Sequence, residues 1–443
     1  MRRRDLLQLL AGGSAAAALA SAGCRRRATG DAGLRTVEFW TLDLAPRFNG
    51  YVRGVIAAWE AGHPGWRVRW TDVPWASVER KLLAAVFART SPDLVNLNPP
   101  FAANLASKGG LQDLNQVLPA DARDGYLPAI WDAGRLGDEQ FAIPWYLTAR
   151  LSMANRRLLQ GAGLAAPPQR WAEVPAFAAE VRRRTGRYGL FVTAVPDDSA
   201  ELLEILVQMG VQLLDGQRRA AFDSPAGRQA FAFWTDLYRR GLLPREVVSQ
   251  GYRRAIELYQ SGDLALVASG PDFLRNLQTN APGVAAVTTP YAPITGDDGT
   301  ANVAVMNLVV PRQSAVARQA ADFGLFLTNP ANQFRFANEA RVLPSAQAAL
   351  QMLQQEWRKD PGPAGQDRLV QRARLLSSQT LQRARVLVPA MPGVKRLQAI
   401  LYTQLQRAML GEMASDAALT AAASEWNRYA AARWPAVNQF AAT

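Results

Sequence analysis

The stretch from Phe141 to Trp171 restricts the fold of this chain more than any other segment does. Its first part, Phe141–Asn155, is apolar enough for a buried strand, yet it carries Arg150 in its middle. A short helix is predicted at Arg156–Gly161, and Trp171 opens a further helix after a proline turn. A long strand of this kind suits a crossover between two lobes. The length of 443 residues also favours two lobes, because one hydrophobic core rarely serves so long a chain.

Strands and helices alternate in the N-terminal part of the chain. Strands are predicted at Arg35–Trp40, Trp66–Trp70 and Ser91–Asn98, with amphipathic helices between them. This alternation favours a parallel α/β sheet, in which ligands bind at the carboxyl ends of the strands. The side chains at such ends, and therefore candidate ligand contacts, are Trp40, Asp43, Asn98 and Phe101. For Trp40, burial in the core is the alternative interpretation.

The middle of the chain contains two further candidate regions. A strand is predicted at Tyr188–Thr193, followed by a loop with Asp197 and by a helix at about Ala200–Met209. Asp197 either caps that helix or faces a ligand, and both interpretations stay open. Later, a strand runs into the Gly270-Pro271 turn, where a glycine lets the backbone approach a ligand closely. Gly270, Asp272 and Phe273 are therefore added to the candidates.

The N-terminus has the layout of an export signal. Arg2-Arg3-Arg4 precedes an apolar, alanine-rich stretch at Leu9–Ala22 that is short for a transmembrane helix. Either a twin-arginine signal or a basic Sec signal fits this pattern. Cys24, the only cysteine, follows small residues in a way that resembles a lipobox, and we expect it to be lipidated. An incidental cysteine beside an ordinary cleavage site is the alternative.

The chain is basic, and its net charge is +13. Removal of residues 1–23 takes away three Arg and one Asp, which lowers this value to +11. The arginine runs are not interleaved with aromatic side chains, as a surface that stacks nucleic-acid bases would be. The sequence therefore predicts no nucleic-acid partner.

Three motifs are similar to those of the extracellular solute-binding proteins of ABC importers, the maltose-binding-protein-like family. The positions that match in the crossover stretch are Pro144, Trp145, Asn155, Leu158, Gly163, Leu164, Pro168, Trp171 and Glu173. A second motif matches at Gly262, Ala265, Gly270 and Pro271, and Arg341–Ser345 resembles the family's later crossover. The chain departs from the family at Ala154, where a tyrosine is usual, and at Asp272, where a tryptophan is usual.

The resemblance implies a type II-like periplasmic-binding-protein fold with two α/β lobes and a ligand cleft between them. The implied divisions are a signal peptide at 1–23, a lipidated tether at 24–34, lobe 1 at 35–147 and 303–343, and lobe 2 at 148–302 and 344–443. The cleft positions implied in addition to those above are Trp145, Tyr146, Met306, Asn307 and Arg341. The implied function is the capture of an oligosaccharide, monosaccharide or polyol by an exported, membrane-anchored monomer, without cofactor or metal, for delivery to ABC permease subunits.

Other functions are weighed against this one. A phosphorylated or anionic solute, such as a glycerophosphodiester, is the alternative ligand. A tethered structural or regulatory protein with a disused cleft is the alternative function for the same fold. The single histidine, His63, excludes a catalytic triad unless His63 itself serves. Zinc spacings and phosphate-binding glycine loops do not occur in the sequence. A glycoside hydrolase with paired carboxylates stays possible on spacing alone.

Overall fold

The computed structural model describes residues 33–196, 198–359 and 366–434, and the statements below concern those residues. They form two lobes, each built on its own hydrophobic core. Lobe 1 has a core of residues between Val37 and Tyr146 and between Met306 and Phe336. Lobe 2 has a core of residues between Leu151 and Ile294 and between Val370 and Ala430. The two cores show where the chain divides, while the lobe boundaries stated above stay a proposal.

Thirteen strands occur in the described residues. Their bounds are β1 (Arg35–Leu42), β2 (Trp66–Val73), β3 (Leu94–Leu97), β4 (Arg135–Leu136), β5 (Glu139–Gln140), β6 (Ile143–Thr148), β7 (Leu151–Asn155), β8 (Leu266–Ser269), β9 (Thr288–Tyr291), β10 (Ala301–Asn302), β11 (Ala304–Val309), β12 (Leu343–Pro344) and β13 (Ala384–Arg385).

Seventeen α-helices occur in the same residues. Their bounds are α1 (Asn49–Gly62), α2 (Val78–Phe87), α3 (Pro99–Ala106), α4 (Pro128–Asp132), α5 (Arg156–Gly161), α6 (Val174–Thr185), α7 (Glu201–Gln208), α8 (Pro225–Arg239), α9 (Tyr252–Gln260), α10 (Phe273–Asn280), α11 (Pro282–Ala285), α12 (Ala317–Leu327), α13 (Pro330–Ala340), α14 (Gln347–Lys359), α15 (Gln366–Thr380), α16 (Val394–Leu410) and α17 (Ser415–Arg433). None of them is long and apolar enough to cross a bilayer.

The sheet of lobe 1 is mixed and has six strands in the order β12-β6-β11-β3-β1-β2. The strands β1, β2 and β3 are parallel, as the alternation of strands and helices predicts. The strand β11 returns from lobe 2 and pairs antiparallel with both β3 and β6. The register of β11 shifts between Met306 and Asn307, which marks a bulge in this returning strand.

The sheet of lobe 2 has three strands in the order β8-β7-β9, and both pairings are antiparallel. The predicted strand at Tyr188–Thr193 is not formed. Only Tyr188 makes a bridge, to Leu264, and the Ala194 N–H donates instead to the carbonyl of Val247 in the 3-10 helix Arg245–Val248. The backbone of the segment Tyr188–Thr193 therefore leaves the edge of the sheet after its first residues.

Three chain passages connect the lobes and lie side by side. The first runs from β6 to β7 through Ala149 and Arg150, the second from β10 to β11 through Val303, and the third is β12. The pairings β6–β11 and β6–β12 hold these passages next to one another. The long strand predicted at Phe141–Asn155 is therefore real but broken, with its first half in one sheet and its second half in the other.

A third set of buried apolar residues packs behind these passages, and we call it the hinge core. Its members are Ile130, Leu147, Ala149, Val303, Val305, Ala337, Leu343, Leu350, Leu353, Trp357 and Leu381. All three passages and the helix α14 contribute to it. Its position shows that the connection between the lobes is a packed structure and not a loose linker.

Candidate functional site

Two cavities lie where the lobes meet. The first, which we call the interlobe cavity, has a volume of about 90 Å³ and is lined from both lobes. Lobe 1 contributes Pro99, Pro100 and Ala103 at the start of α3, and lobe 2 contributes side chains such as Gln398 of α16. Residues 302–305 of the second passage lie between the two sides. This cavity occupies the cleft that two-lobed architecture predicts.

The second cavity, which we call the lobe 2 cavity, has a volume of about 130 Å³. Its apolar walls include Trp171, Phe191 and Ile294, and its polar groups include Arg150, Glu201, Glu204 and Gln208. Glu204, Asn302 and Ala304 line both cavities, so the two spaces adjoin at these residues. Apolar walls with a few convergent polar groups are the usual character of small-molecule sites.

A charged cluster forms the polar part of the lobe 2 cavity. The Arg150 guanidinium lies 3.2 Å from Glu204 Oε2 and 3.9 Å from Glu201 Oε1. Arg150 also donates to the hydroxyl of Ser199, at 3.4 Å. Glu201 and Glu204 stand three residues apart on α7, so their side chains share one face of the helix. The first passage supplies the arginine and α7 supplies the carboxylates, so the cluster ties lobe 2 to the crossover.

Burial perturbs the acid–base properties of this cluster. Burial raises the pKa of Glu201 to about 7, although the nearby Arg150 acts to lower it. Burial also raises the pKa of Glu204, against the lowering effects of Arg150 and of a hydrogen bond with Asn302. For Arg150, burial acts to lower the pKa, but the two carboxylates raise it above its ordinary value. The arginine therefore stays charged, while Glu201 titrates near neutral pH.

Neighbouring side chains hold the cavity walls in place. The Trp171 indole N–H donates to Gln208 Oε1 at 2.8 Å, and Gln208 Nε2 donates to the Thr300 carbonyl at 2.9 Å. The Tyr402 hydroxyl donates to the Ser199 carbonyl at 2.9 Å and accepts from the Leu203 N–H at 3.0 Å. These bonds give Trp171, Gln208 and Tyr402 fixed partners in and around the wall.

Several predicted site residues lie in the cores and not in the cleft. Trp145 is completely buried, and its ring stacks on Phe336 with the centroids 4.9 Å apart. The ring also lies near Phe39 of β1, with the centroids 6.4 Å apart, so aromatic side chains of the lobe 1 core surround this position. The predicted role of Trp145 as a stacking platform is therefore wrong in this structure. The other predicted contacts that are buried and line neither cavity are Phe101, Tyr146, Phe273 and Met306.

Other predicted residues have structural partners of their own. The Asn98 side chain caps α3 by accepting from the Phe101 N–H at 2.9 Å. Asp43 Oδ2 accepts from the Trp75 N–H at 2.9 Å. Trp40 is half-buried against the core of lobe 1 and lines neither cavity. In this structure none of the three lines a cavity of the cleft, and their predicted contact with a ligand stays a prediction.

The remaining predictions divide between the cleft and the surface. Asn307 lines the interlobe cavity, and its predicted contact with a ligand stays a prediction. Gly270 begins the turn after β8, where its carbonyl accepts from the Phe273 N–H, and Arg341 ends α13 in a left-handed conformation with φ of 61°. Neither residue lines a cavity of the cleft. Asp272 is exposed and lies 3.7 Å from Arg47 of lobe 1. Asp197 lies outside the described residues.

Sequence reasoning missed the cluster of Arg150, Glu201 and Glu204. A signal was present, because two glutamates occur three residues apart in the helix Glu201–Gln208, whose remaining residues except Gln208 are apolar. Charged side chains are almost never fully buried unless they are paired. Within the described residues, no group of His, Cys, Asp and Glu side chains is arranged to hold a metal ion.

Comparisons with known proteins agree on one class. Residues 45–334 match the family model described as bacterial extracellular solute-binding protein. A crystal structure of a "putative oligosaccharide periplasmic-binding protein" from Synechococcus sp. MITs9220 is 65% identical, with a TM-score of 0.85, and the match covers 90% of this chain and 100% of that chain.

Two more distant relatives are also similar. An ABC transporter solute-binding protein from Thermotoga lettingae, bound with alpha-D-tagatose, is 20% identical with a TM-score of 0.70, and the match covers 89% of this chain and 100% of that one. An uncharacterised lipoprotein from Streptomyces antibioticus is 25% identical over 345 residues, 74% of this chain and 74% of that protein. The first of these shows the shared fold.

Proposed function

The chain belongs to the bacterial extracellular solute-binding proteins, and we propose that it captures a sugar or oligosaccharide between its lobes and delivers it to an ABC permease. Membership in this family makes the chain a binding protein, and the glycoside-hydrolase alternative is set aside. The protein acts outside the cytoplasm, in keeping with the family description.

The observation that carries the proposal is the pair of adjoining cavities at the meeting of the lobes. Their walls combine the aromatic rings of Trp171 and Phe191 with hydrogen-bonding groups on Arg150, Glu204 and Asn302. A sugar needs both kinds of contact, since its ring has apolar faces and its edge carries hydroxyl groups. The 65% identical Synechococcus protein, described as an oligosaccharide-binding protein, supports the same class of ligand.

We further propose that the mature protein is held at the membrane by a lipid on Cys24. The support is the run of small residues before the only cysteine of the chain. The similar Streptomyces antibioticus protein is described as a lipoprotein, which is in keeping with such an anchor. Cys24 itself lies outside the described residues.

A thermal-shift screen over mono- and oligosaccharides, polyols, glycerophosphodiesters and amino acids tests the ligand class. A solute that binds only the folded state at 100 times its Kd adds about 2.7 kcal/mol to the free energy of unfolding. We expect a sugar or polyol to raise the melting temperature. A rise with amino acids alone, and with no sugar or polyol, would contradict the proposal.

A further inference from the structure

We propose that the lobe 2 cavity is a subsite for one uncharged, hydroxyl-bearing unit of the ligand, and that Glu201 and Glu204 make it reject anionic solutes. This inference rests on the proposed function and narrows the class of solute. It assigns a binding role to residues that lie beneath the cleft and not on its open faces.

The first argument is the balance of charge. One guanidinium, that of Arg150, faces two carboxylates within 4 Å, at 3.2 Å for Glu204 and 3.9 Å for Glu201. The only other basic side chain among the described residues that line either cavity is Lys395, and it is bonded to Glu79 at 2.5 Å. Both cations are thus already paired. A phosphate that entered would meet Glu204 and, in its ionised form, Glu201, with no unpaired cation nearby, and such contact between like charges is strongly unfavourable.

The second argument is the hydrogen-bonding character of the cluster. An ionised carboxylate only accepts hydrogen bonds, whereas a protonated one also donates. Because burial places the pKa of Glu201 near 7, this carboxyl group is available in both forms at neutral pH. Sugar hydroxyls both donate and accept, so they match Glu201 in either form. A cluster with one guanidinium and two such carboxyl groups therefore favours a neutral polyhydroxyl partner.

The third argument concerns the groups packed around the cluster. Asp198 faces it from the loop before α7, Tyr252 from α9 and Tyr402 from α16. Asp198 Oδ2 accepts from the Tyr252 N–H at 2.7 Å, and the Tyr252 hydroxyl donates to the Ala268 carbonyl at 2.8 Å. These neighbours add a further negative charge and no positive one.

The fourth argument is size and shape. The cavity volume of about 130 Å³ is close to the ~150 Å³ of an engineered protein cavity that binds benzene. The space thus suits a single six-membered ring or a short polyol. Trp171, whose N–H is occupied by Gln208, can offer a ligand its ring but not its donor. An apolar ring face therefore meets Trp171 and Phe191, while the hydroxyls reach the charged cluster.

A purely structural role is the competing explanation, in which the cluster only fastens α7 to the first passage. The test compares neutral solutes with their phosphorylated counterparts, namely glucose with glucose 6-phosphate, mannitol with mannitol 1-phosphate, and trehalose with trehalose 6-phosphate. Maltodextrins are added as longer neutral probes. Titration calorimetry is run on the wild type, Glu204→Gln, Glu201→Gln and the control Glu180→Gln, a surface residue of α6 paired with Arg183.

We expect neutral members to bind at least about tenfold more tightly than their phosphorylated partners. A hydrogen bond to a charged group contributes about 1.5–3 kcal/mol, which corresponds to about a ten- to hundredfold loss of affinity in Glu204→Gln. Glu180→Gln should bind like the wild type. The comparison within the wild type needs no variant, so it holds even if a variant folds poorly.

The outcomes separate the two proposals. Tighter binding of the phosphorylated members would overturn the subsite proposal but leave the capture of solutes in place. Neutral sugars that bind equally well to the wild type and both glutamate variants would give the cluster a structural role only. If none of the sugars, polyols or maltodextrins binds, the proposed function fails and the subsite proposal fails with it.

Discussion

Lys395 Nζ of lobe 2 lies 2.5 Å from Glu79 Oε1 of lobe 1, so an ion pair joins the lobes directly across the cleft. Lys395 also lines the interlobe cavity, which places this contact beside the space for a ligand. A second interlobe pair, Arg47 with Asp272, has its atoms 3.7 Å apart. Ion pairs therefore connect the lobes in addition to the three chain passages.

Lys395→Met should shift the protein toward an open form, because one of these pairs is lost. Exposed ion pairs contribute about 0.2–1 kcal/mol, so the ratio of closed to open forms should fall by up to about fivefold. Small-angle X-ray scattering should show a larger radius of gyration. The matched control is Arg240→Met, which breaks a pair with Asp236 inside lobe 2. Equal scattering from all three proteins would count against this role.

Trp145→Ala should destabilise the protein by about 3–5 kcal/mol, because a fully buried indole leaves a large cavity when it is removed. The control Trp75→Ala removes the same side chain from a position that is 42% exposed, and its effect should stay within about 0.5 kcal/mol. Chemical denaturation measures both. A Trp145→Ala variant with wild-type stability and lost sugar affinity would return Trp145 to the binding site.

The free energy of unfolding of the wild type should fall as the pH rises from about 4.3 to about 7, and Glu201→Gln should weaken this dependence. The pKa of Glu201 is about 7 in the folded protein and near 4.3 when unfolded, so the folded state binds more protons in this window. Stability therefore falls as pH rises through it. Each pKa unit corresponds to about 1.36 kcal/mol, so the total effect is a few kcal/mol. Glutamine does not titrate, so the variant should lack the part of this decline that Glu201 causes, while Glu204, whose pKa burial also raises, still contributes its own part.

Glu180→Gln is the control for the pH experiment, since this exposed residue has the opposite perturbation. Hydrogen bonds from Arg183 and Arg184 lower the pKa of Glu180 to about 2. Its stabilisation is present above its unfolded pKa and is lost as pH falls, so its removal should leave the decline toward pH 7 unchanged. Urea denaturation curves at a series of pH values measure all three proteins. Parallel curves for wild type and Glu201→Gln would exclude the proposed titration.

Cys24→Ser should release the protein from the membrane fraction or block its processing, because serine has no thiol for a lipid. Cell fractionation and gel mobility measure the effect, with Thr29→Ala in the predicted tether as the control. A Cys24→Ser protein that fractionates and migrates like the wild type would show that the anchor is absent.

The sequence was sufficient for the crossover and for the parallel strands of lobe 1, because both depend on local patterns of apolar residues. It was not sufficient for Trp145 or Phe101, since an aromatic residue near a cleft can point to either side of a sheet or helix. The packing of other elements decides that question, as where Trp145 stacks on Phe336 of α13, a residue far away in the chain.

The charged cluster shows the same limit in a different form. Glu201 and Glu204 could be noticed on an apolar helix, but their partner, Arg150, lies about fifty residues away, and Glu204 and Arg150 are separated by 54 positions. Local sequence patterns do not predict which distant residues the fold brings into contact. The acid–base shift of Glu201 then follows from burial, which the sequence alone did not specify.

The position of the hinge core implies that affinity for a solute can change without a change in specificity. Leu350, Leu353 and Trp357 of α14 belong to this core, yet they line neither cavity. We expect changes there to alter the fraction of molecules that adopt the closed form, and the apparent Kd scales inversely with that fraction for every solute alike. Drift in α14 can thus adjust the nutrient concentration at which uptake begins, while the range of accepted nutrients stays the same.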